Sequence, residues 1–298
     1  MFEIAEHTDN GMRFIVLQNE AKTAFAKISL DEGASLCELS FNNIEIIKKQ
    51  PNFDYKDSYA SSILFPFASR IANGEYSFKG EKFQLDKNDD DKNALHGLVY
   101  NKSFEVLNSK QKTNNCSVSL MYDEERGNKG FPFKYSISLT YTLSNDELLL
   151  DITVKNKDQT SFPFIIGWHP YFLTSNIFES TLSFNCDKKV EFNKNLVTKN
   201  IIDYNHNGEF KIKNKQLDDC FFLKDGVVEF FTPDYTINIK SSAKDNFLQL
   251  YTPPNRSIIA IEPMTGISNS FNNDIGLQVL KPNETYEIYW KVNFNQSN

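Results

Sequence analysis

The sequence is poor in the residue types that build metal centres and redox pairs. Its 298 residues include four cysteines and four histidines. The cysteines, Cys37, Cys116, Cys186 and Cys220, lie far apart and form no C-x-x-C pair. This spacing argues against both a zinc site and a redox disulfide. Cys37 and Cys116 alternate with apolar neighbours, as small hydrophobic residues do in buried strands. We therefore expect no metal site.

Long apolar runs and basic clusters are also missing. No segment approaches 18 uninterrupted apolar residues, and Glu3 and Glu6 stand where a signal peptide needs a basic and then an apolar run. The net charge of -7, from 39 acidic and 32 basic residues, is spread along the chain. Nucleic acids and anionic membranes are bound by clustered Lys and Arg. We expect a cytoplasmic protein with neither partner.

Aromatic residues are abundant, and a two-residue period is the clearest pattern. Phe and Tyr number 26 and 13, and both favour strands. Apolar and polar side chains alternate from Phe133 to Ser144, and after a short polar turn the alternation resumes from Leu148 to Val154. This predicts a hairpin, and the pattern returns from Tyr286 to Phe294. No window shows a sustained helical stripe. We predict an all-β fold, a large antiparallel β-sandwich.

The chain shows no internal division. No Ser/Gly-rich or Pro-rich linker interrupts it, and no repeat is detectable. All-β sandwiches of well over 200 residues commonly form one unit, so we predict a single domain over residues 1–298. The most polar stretch, KNDDDKN at 87–93, does not have the spacing of a calcium loop, and we interpret it as a solvated connection.

Two histidines and two charged residues stand beside apolar segments. His96 follows Leu95 where a loop enters a strand, and His169 lies in FPFIIGWHPYF, where Pro170 favours an extended conformation. Each could be a core histidine held by one backbone hydrogen bond, or a functional group. Glu262 and Arg70 each end an apolar run. A carboxylate there is either an ion-pair partner or a proton-transfer group, and these four side chains could converge on one cleft.

Five motifs carry a family resemblance. FPFASRIANGEYSFKG (65–80), ALHGLVY (94–100), GWHPYF (167–172), LDDCFFL (217–223) and IAIEPMTG (259–266) follow one another in this order. Together they resemble the aldose 1-epimerase, or galactose mutarotase, family. The resemblance implies a β-supersandwich fold and the interconversion of the α and β anomers of a free aldose without a cofactor. It implies a small aldose as the partner, and we expect a monomer or weak homodimer.

The resemblance also assigns roles to individual residues. Glu262 matches the catalytic base, His169 the catalytic acid and His96 a second active-site histidine. Arg70 matches the sugar-binding arginine and Asp218 the aspartate that binds sugar hydroxyls, with Asp219 as the less favoured register. Ring opening removes a proton from the C1 hydroxyl and delivers one to the ring oxygen, which a carboxylate and an imidazolium can do. We expect the ionised Glu262 to help keep His169 charged.

Departures from the family pattern leave the substrate open. Ser69 stands where many members have Asn, and Leu98 where many have a second Gly. A hexose 6-phosphate mutarotase is an alternative, for which Arg70 and Arg256 are candidate phosphate ligands. A sugar-binding protein without turnover and a glycosidase using Glu262 with Asp218 are further alternatives. Trp168 could stack on a sugar or belong to the core.

Overall fold

The computed structural model describes residues 1–50, 53–254 and 257–296. The first half of the chain contains β1 (Phe2–Asp9), β2 (Met12–Asn19), β3 (Ala24–Ser29), β4 (Leu36–Phe41), β5 (Ile44–Lys48), α1 (Tyr55–Ser58), β6 (Ile63–Leu64), β7 (Arg70–Ala72), β8 (Glu75–Phe78), β9 (Glu81–Gln84), β10 (Asn93–Leu95), β11 (Glu105–Gln111), β12 (Cys116–Glu124) and β13 (Tyr135–Leu143). The second half contains β14 (Glu147–Asn156), β15 (Phe162–Phe164), β16 (Gly167–Trp168), β17 (Tyr171–Leu173), β18 (Thr181–Phe192), β19 (Thr198–Lys211), β20 (Asp218–Leu223), β21 (Val227–Phe231), β22 (Tyr235–Ser241), β23 (Asn246–Tyr251), β24 (Ile258–Met264), α2 (Ser270–Asn273), β25 (Gln278–Leu280) and β26 (Thr285–Gln296).

Two antiparallel sheets dominate the fold, as the alternating pattern predicts. Strands β1 to β5 form a five-stranded meander in sequence order. A 15-stranded sheet runs in the order β11-β12-β13-β14-β26-β22-β21-β18-β20-β23-β24-β16-β6, with β17 beside β24 and β19 beside β18. Three two-stranded sheets complete the fold. The all-β prediction is confirmed, and the C-terminal strand β26 lies inside the large sheet between β14 and β22.

The predicted hairpin shows how the pattern produces the fold. In β13 every second side chain from Tyr135 to Leu143 is buried, and the Ser and Thr residues between them are partly exposed. Strand β14 pairs with it antiparallel, with Tyr141 opposite Leu150. The Tyr141 hydroxyl donates a hydrogen bond of 2.8 Å to the Ala34 carbonyl oxygen, which connects the large sheet to the N-terminal one. Alternate side chains thus determine which face turns inward.

Strand β24 differs, because all seven of its residues are buried. Both faces of a strand in this position are covered, so its sequence is nearly continuously apolar instead of alternating. Trp168 also lies in the core, where its ring stacks on that of Trp290 at 6.4 Å. Of the two alternatives for Trp168, the core position is therefore confirmed and sugar stacking is excluded, since a fully covered ring cannot touch a ligand. Among the described residues, no helix has the length and apolarity to cross a bilayer.

Candidate active site

Neighbouring strands of the large sheet form the floor of a cleft. The register aligns Cys220 of β20 with Gln249 of β23, and Gln249 with Glu262 of β24. Tyr171 of β17 is opposite Ala260 of β24, so alternate residues of these strands face the same side. The cleft measures about 720 Å³ including the solvent at its mouth, a size typical of small-molecule sites. Its lining residues are Asp57, Ser58, Tyr59, Ser69, Arg70, Leu95, His96, His169, Tyr171, Leu196, Asp218, Gln249, Tyr251 and Glu262.

Glu262 lies within β24 instead of at its end. The strand continues to Met264, so the expectation that the carboxylate stands at the mouth of an apolar run is wrong in detail. The side chain is 3% exposed. Glu262 pairs with Gln249 of β23 on one side. On the other side it lies between Ala260, which pairs with β17, and Met264, which pairs with β16. The carboxylate is therefore buried at the floor of the cleft.

His169 occupies the short connection between β16 and β17. Its backbone is tied to the loop before β6, since Ser61 N donates to the His169 carbonyl oxygen at 2.8 Å and His169 N donates to the Ser62 oxygen at 3.1 Å. The imidazole stacks on Tyr171, with ring centroids 5.0 Å apart. Its Nε2 lies 3.4 Å from Glu262 Oε1. These backbone hydrogen bonds hold His169 where its ring contacts the carboxylate.

Burial changes the protonation of this pair. It lowers the pKa of His169 to about 4, against a smaller opposite effect of a backbone hydrogen bond. It raises the pKa of Glu262 well above its ordinary value, and the charge of Asp218 adds to this rise while Arg70 opposes it. The expectation that an ionised Glu262 keeps His169 charged is wrong, because desolvation disfavours both charged forms. Burial thus favours the neutral form of each group in the free cleft.

His96 reaches the cleft through an unusual backbone. It follows the last residue of β10 and has a φ of 60°, so the strand precedes the histidine, contrary to the expected order. Its ring packs between Tyr59, at 4.8 Å, and His169, at 5.0 Å. A Cβ on the next residue, Gly97, would lie 2.3 Å from the Phe65 carbonyl oxygen. Only glycine fits there, and this close approach positions His96.

Arg70 and Asp218 complete the predicted set at the side of the cleft. Arg70 is the first residue of β7 and donates from Nε to Asp89 Oδ2 at 2.8 Å. Asp218 is the first residue of β20 and accepts a hydrogen bond of 2.7 Å from Gln249 Nε2. Burial raises the pKa of Asp218, with Arg70 acting in the opposite direction. Asp219, the alternative register, instead forms an ion pair with Lys189 at 2.5 Å and does not line the cleft.

Several cleft residues were not identified from the sequence. Gln249 had a detectable signal, as a single amide in the otherwise apolar FLQLY of β23, and it is buried. Tyr59, Tyr171 and Tyr251 had none, because strand formers with aromatic rings are common throughout this chain. Arg256, a candidate phosphate ligand, lies outside the described residues. Within the described ranges, no group of three or more His, Cys, Asp or Glu side chains is arranged to hold a metal ion.

Comparison with known proteins assigns the chain to a family. A sequence model of the aldose 1-epimerase family matches residues 13–292, which is most of the chain. The chain belongs to the aldose 1-epimerase family. The family resemblance of the five motifs is thereby confirmed. An uncharacterised Escherichia coli protein, YihR, is 25% identical over an alignment of 276 residues that covers 87% of this chain and 87% of that protein. The galactose mutarotase of Mus musculus is 26% identical over 175 residues, 57% of this chain and 48% of that protein.

Solved structures of aldose 1-epimerase relatives show the same fold. A galactose mutarotase-like protein from Clostridium acetobutylicum superposes with a TM-score of 0.88 at 20% identity, covering 99% of both chains. The galactose 1-epimerase of Lactobacillus acidophilus superposes with a TM-score of 0.83 at 17% identity, covering 100% of this chain and 99% of that one. At these identities the likeness concerns the fold alone. It confirms the predicted galactose mutarotase-like sandwich.

Proposed function

We propose that this member of the family is an aldose 1-epimerase that interconverts the α and β anomers of a free hexose such as glucose or galactose. The observation that carries the proposal is the contact of His169 Nε2 with Glu262 Oε1 at 3.4 Å, at the floor of a cleft that Arg70 and Asp218 also line. An acid and a base this close can act on the two oxygens of one hemiacetal carbon.

The reaction needs one proton removed and one delivered. In the proposed cycle Glu262 takes the proton of the C1 hydroxyl, and His169 gives a proton to the ring oxygen as the C1–O5 bond breaks. The open aldehyde then rotates about C1–C2 and recloses on the other face, with both transfers reversed. The transfer starts from the reactive form of the pair, in which the shared proton is on His169 as carboxylate and imidazolium. It ends as carboxylic acid and imidazole and is reversed on ring closure. Since burial favours the neutral form, it stabilises the pair in the open-chain state.

The other cleft residues bind and orient the sugar in this proposal. Asp218 and Gln249 are already hydrogen bonded to each other and present their remaining polar atoms to sugar hydroxyls. Arg70 donates to hydroxyl oxygens through its terminal nitrogens, and His96 packs against His169 and limits its movement. Such orientation can supply a large part of the rate acceleration without further chemistry.

The charges in the cleft favour an unphosphorylated sugar over the 6-phosphate alternative. Among the described residues that line the cleft, Arg70 is the one Lys or Arg side chain, and it forms an ion pair with Asp89. Asp57, Asp218 and Glu262 bring carboxyl groups to the same space. A phosphate dianion would need several uncompensated cationic donors. The glycosidase alternative is also disfavoured, because the partner facing Glu262 is an imidazole instead of a second carboxyl group.

We also infer that residues 1–298 act as one domain. One continuous set of packed buried side chains includes residues from Phe2 to Phe294, which supports this inference. A cytoplasmic location and a monomeric or weakly dimeric state stay predictions.

The test is the rate of anomer equilibration, followed by polarimetry or proton NMR, for freshly dissolved α-D-glucose, α-D-galactose and α-D-glucose 6-phosphate. We expect acceleration of a free hexose above the spontaneous rate. Acceleration of the phosphate ester alone would replace the proposal with the 6-phosphate alternative. No acceleration of any of the three would favour a sugar-binding protein without turnover, which calorimetry with the same sugars would detect.

The pH dependence of the reaction should follow the protonation of His169 and Glu262. The form with one shared proton persists until His169 is also protonated, near its pKa of about 4, and until Glu262 loses its proton, above its raised pKa. We therefore expect kcat/KM not to fall as the pH is lowered from 7 to 5, since kcat/KM reports the free enzyme and the pKa of His169 is about 4. Polarimetry with subtraction of the spontaneous rate measures this. A fall centred near pH 6.5 would show that His169 titrates like an exposed histidine.

A further inference from the structure

The polar stretch 87–93 contributes to the candidate site, although the sequence indicates a solvated connection. Its tip is a tight turn in which Lys92 N donates to the Asp89 oxygen at 2.9 Å. The two central residues, Asp90 and Asp91, have φ values of 49° and 57°, a conformation that Asp tolerates. Both are exposed, as expected for a solvated turn. Asp89 differs from them, because its side chain points towards Arg70.

Asp89 is bound from two sides. Its Oδ2 accepts hydrogen bonds from Arg70 Nε at 2.8 Å and from Asn93 Nδ2 at 2.9 Å. Asn93 is itself buried and sits in β10, directly opposite Ala72 of β7. Asp89 and Arg70 are about equally covered, with side chains 21% and 19% exposed. The carboxylate is thus attached to the same short sheet that carries Arg70, which makes the pair rigid.

This arrangement uses one edge of the guanidinium group and leaves the other available. Among the residues that the structure describes, the Arg70 side chain donates a hydrogen bond to Asp89, and the donor is Nε. Arg70 lines the cleft, and its charge opposes the rise in the pKa values of Asp218 and Glu262. A guanidinium held by its Nε edge presents its terminal nitrogens in a fixed direction.

The pairing also changes the charge that a ligand meets. Without a partner, Arg70 would offer a full positive charge to an anion in the cleft. With Asp89 at 2.8 Å the two charges largely cancel, and Asp57 and Asp218 make the surroundings acidic. Neutral hydroxyl oxygens can still accept hydrogen bonds from Arg70, because the guanidinium stays protonated and keeps the N–H donors of its terminal nitrogens.

We propose that Asp89 is a positioning and specificity-determining residue, which orients Arg70 towards sugar hydroxyls and cancels the charge that would otherwise attract a phosphorylated sugar. The inference rests on the proposed function, since it names the substrate class of the same cleft. It separates two properties of one side chain: an oxygen atom that holds Nε, and a negative charge.

Two variants separate these properties. Asp89→Asn keeps an acceptor oxygen for Nε but removes the charge, so the KM for free hexose should stay within about twofold. The inhibition constant of glucose 6-phosphate against hexose mutarotation should fall about tenfold, and less at high salt because the effect is electrostatic. Asp89→Ala removes both properties, and the KM for free hexose should rise about tenfold with kcat changed much less, because uniform binding is lost.

A double-mutant cycle shows whether Asp89 acts through Arg70. In an Arg70→Ala background, Asp89→Ala should have no further effect on KM, because the group it positions is absent. Asp90→Asn is the matched control, since it removes a charge from the adjacent residue, whose side chain is 87% exposed. It should leave KM and the inhibition constant unchanged.

The outcomes that overturn the inference are distinct. An equal rise in KM on Asp89→Ala with and without Arg70 would show a general structural role. An unchanged inhibition constant in Asp89→Asn would remove the charge argument. If the wild-type protein accelerated no free hexose, the proposed function would fail. Asp89 would then be tested by calorimetric binding of glucose and glucose 6-phosphate to the same variants, with the same ratios expected.

Discussion

Replacement of Glu262 with Gln should lower kcat/KM for mutarotation by about 10²–10⁴-fold, the usual contribution of a general base. Gln has nearly the same shape and can occupy the same buried position opposite His169, but it cannot take the proton of the C1 hydroxyl. The loss should appear in kcat as well as in kcat/KM, because proton transfer occurs in the transition state. Polarimetry at saturating and limiting hexose concentrations separates the two constants.

The same substitution should stabilise the protein, increasingly so as the pH rises. The pKa of Glu262 is raised in the folded state, so the folded protein binds more protons than the unfolded chain above pH 4.5. The wild type therefore has its full stability below that pH and loses some of it as the pH increases towards the folded pKa. Gln does not titrate, so the difference in melting temperature between Glu262→Gln and wild type should grow from pH 5 to pH 8.

Glu6→Gln is the matched control for both measurements. Glu6 lies in β1 and is exposed, so the same chemical change should alter neither the rate nor the pH dependence of melting. If Glu262→Gln retained wild-type turnover, Glu262 would have no part in proton transfer. If the melting temperature of Glu262→Gln differed from that of the wild type by the same amount at all pH values, the pKa of Glu262 would not be raised in the folded protein.

Replacement of His169 with Asn should also lower kcat by about 10²–10⁴-fold, because the ring oxygen then has no proton donor. A second consequence follows at acid pH. The pKa of His169 is depressed to about 4 in the folded protein, so the wild type loses stability as the pH falls from 6.5 through 4, where the unfolded chain binds the additional proton. The Asn variant lacks this loss. Circular dichroism melts between pH 4 and pH 7 measure the difference.

His206→Asn provides the control for this histidine. His206 lies in β19 and packs on Phe184 at 4.9 Å, outside the cleft, so its replacement should leave kcat unchanged. Since acid and base act on one substrate in one cycle, the double variant His169→Asn with Glu262→Gln should be little worse than either single one. Independent, multiplicative losses would contradict the paired mechanism, as would an active His169→Asn.

The five predicted site residues illustrate what a single sequence can supply. Arg70, His96, His169, Asp218 and Glu262 were selected from short motifs, and the structure brings them to one cleft. Their environment was not predictable. The position of Glu262 in the middle of β24 depends on the pairing of that strand with β16 and β17, from a different part of the chain. The pKa directions depend on burial by many segments, which local sequence does not encode.

The three aspartates at 89–91 also show that local sequence does not encode the environment of a side chain. Three consecutive aspartates look equivalent in the sequence, and a solvated connection describes Asp90 and Asp91 correctly. Asp89 differs because the turn directs it towards Arg70, 19 residues earlier. Gln249 was missed for a related reason, since its importance comes from the neighbours that β20 and β24 place beside it.

The sequence by itself determined the strand class, the inward faces and the family, because two-residue alternation and short motifs are local properties of the chain. Tertiary structure decided the order of the 15 strands, with β26 between β14 and β22. It also decided the contact of His169 with Glu262, the protonation of that pair and the partner of Arg70. Each of these depends on which distant segments exclude water from one another, and desolvation and charge pairing arise only when those segments meet.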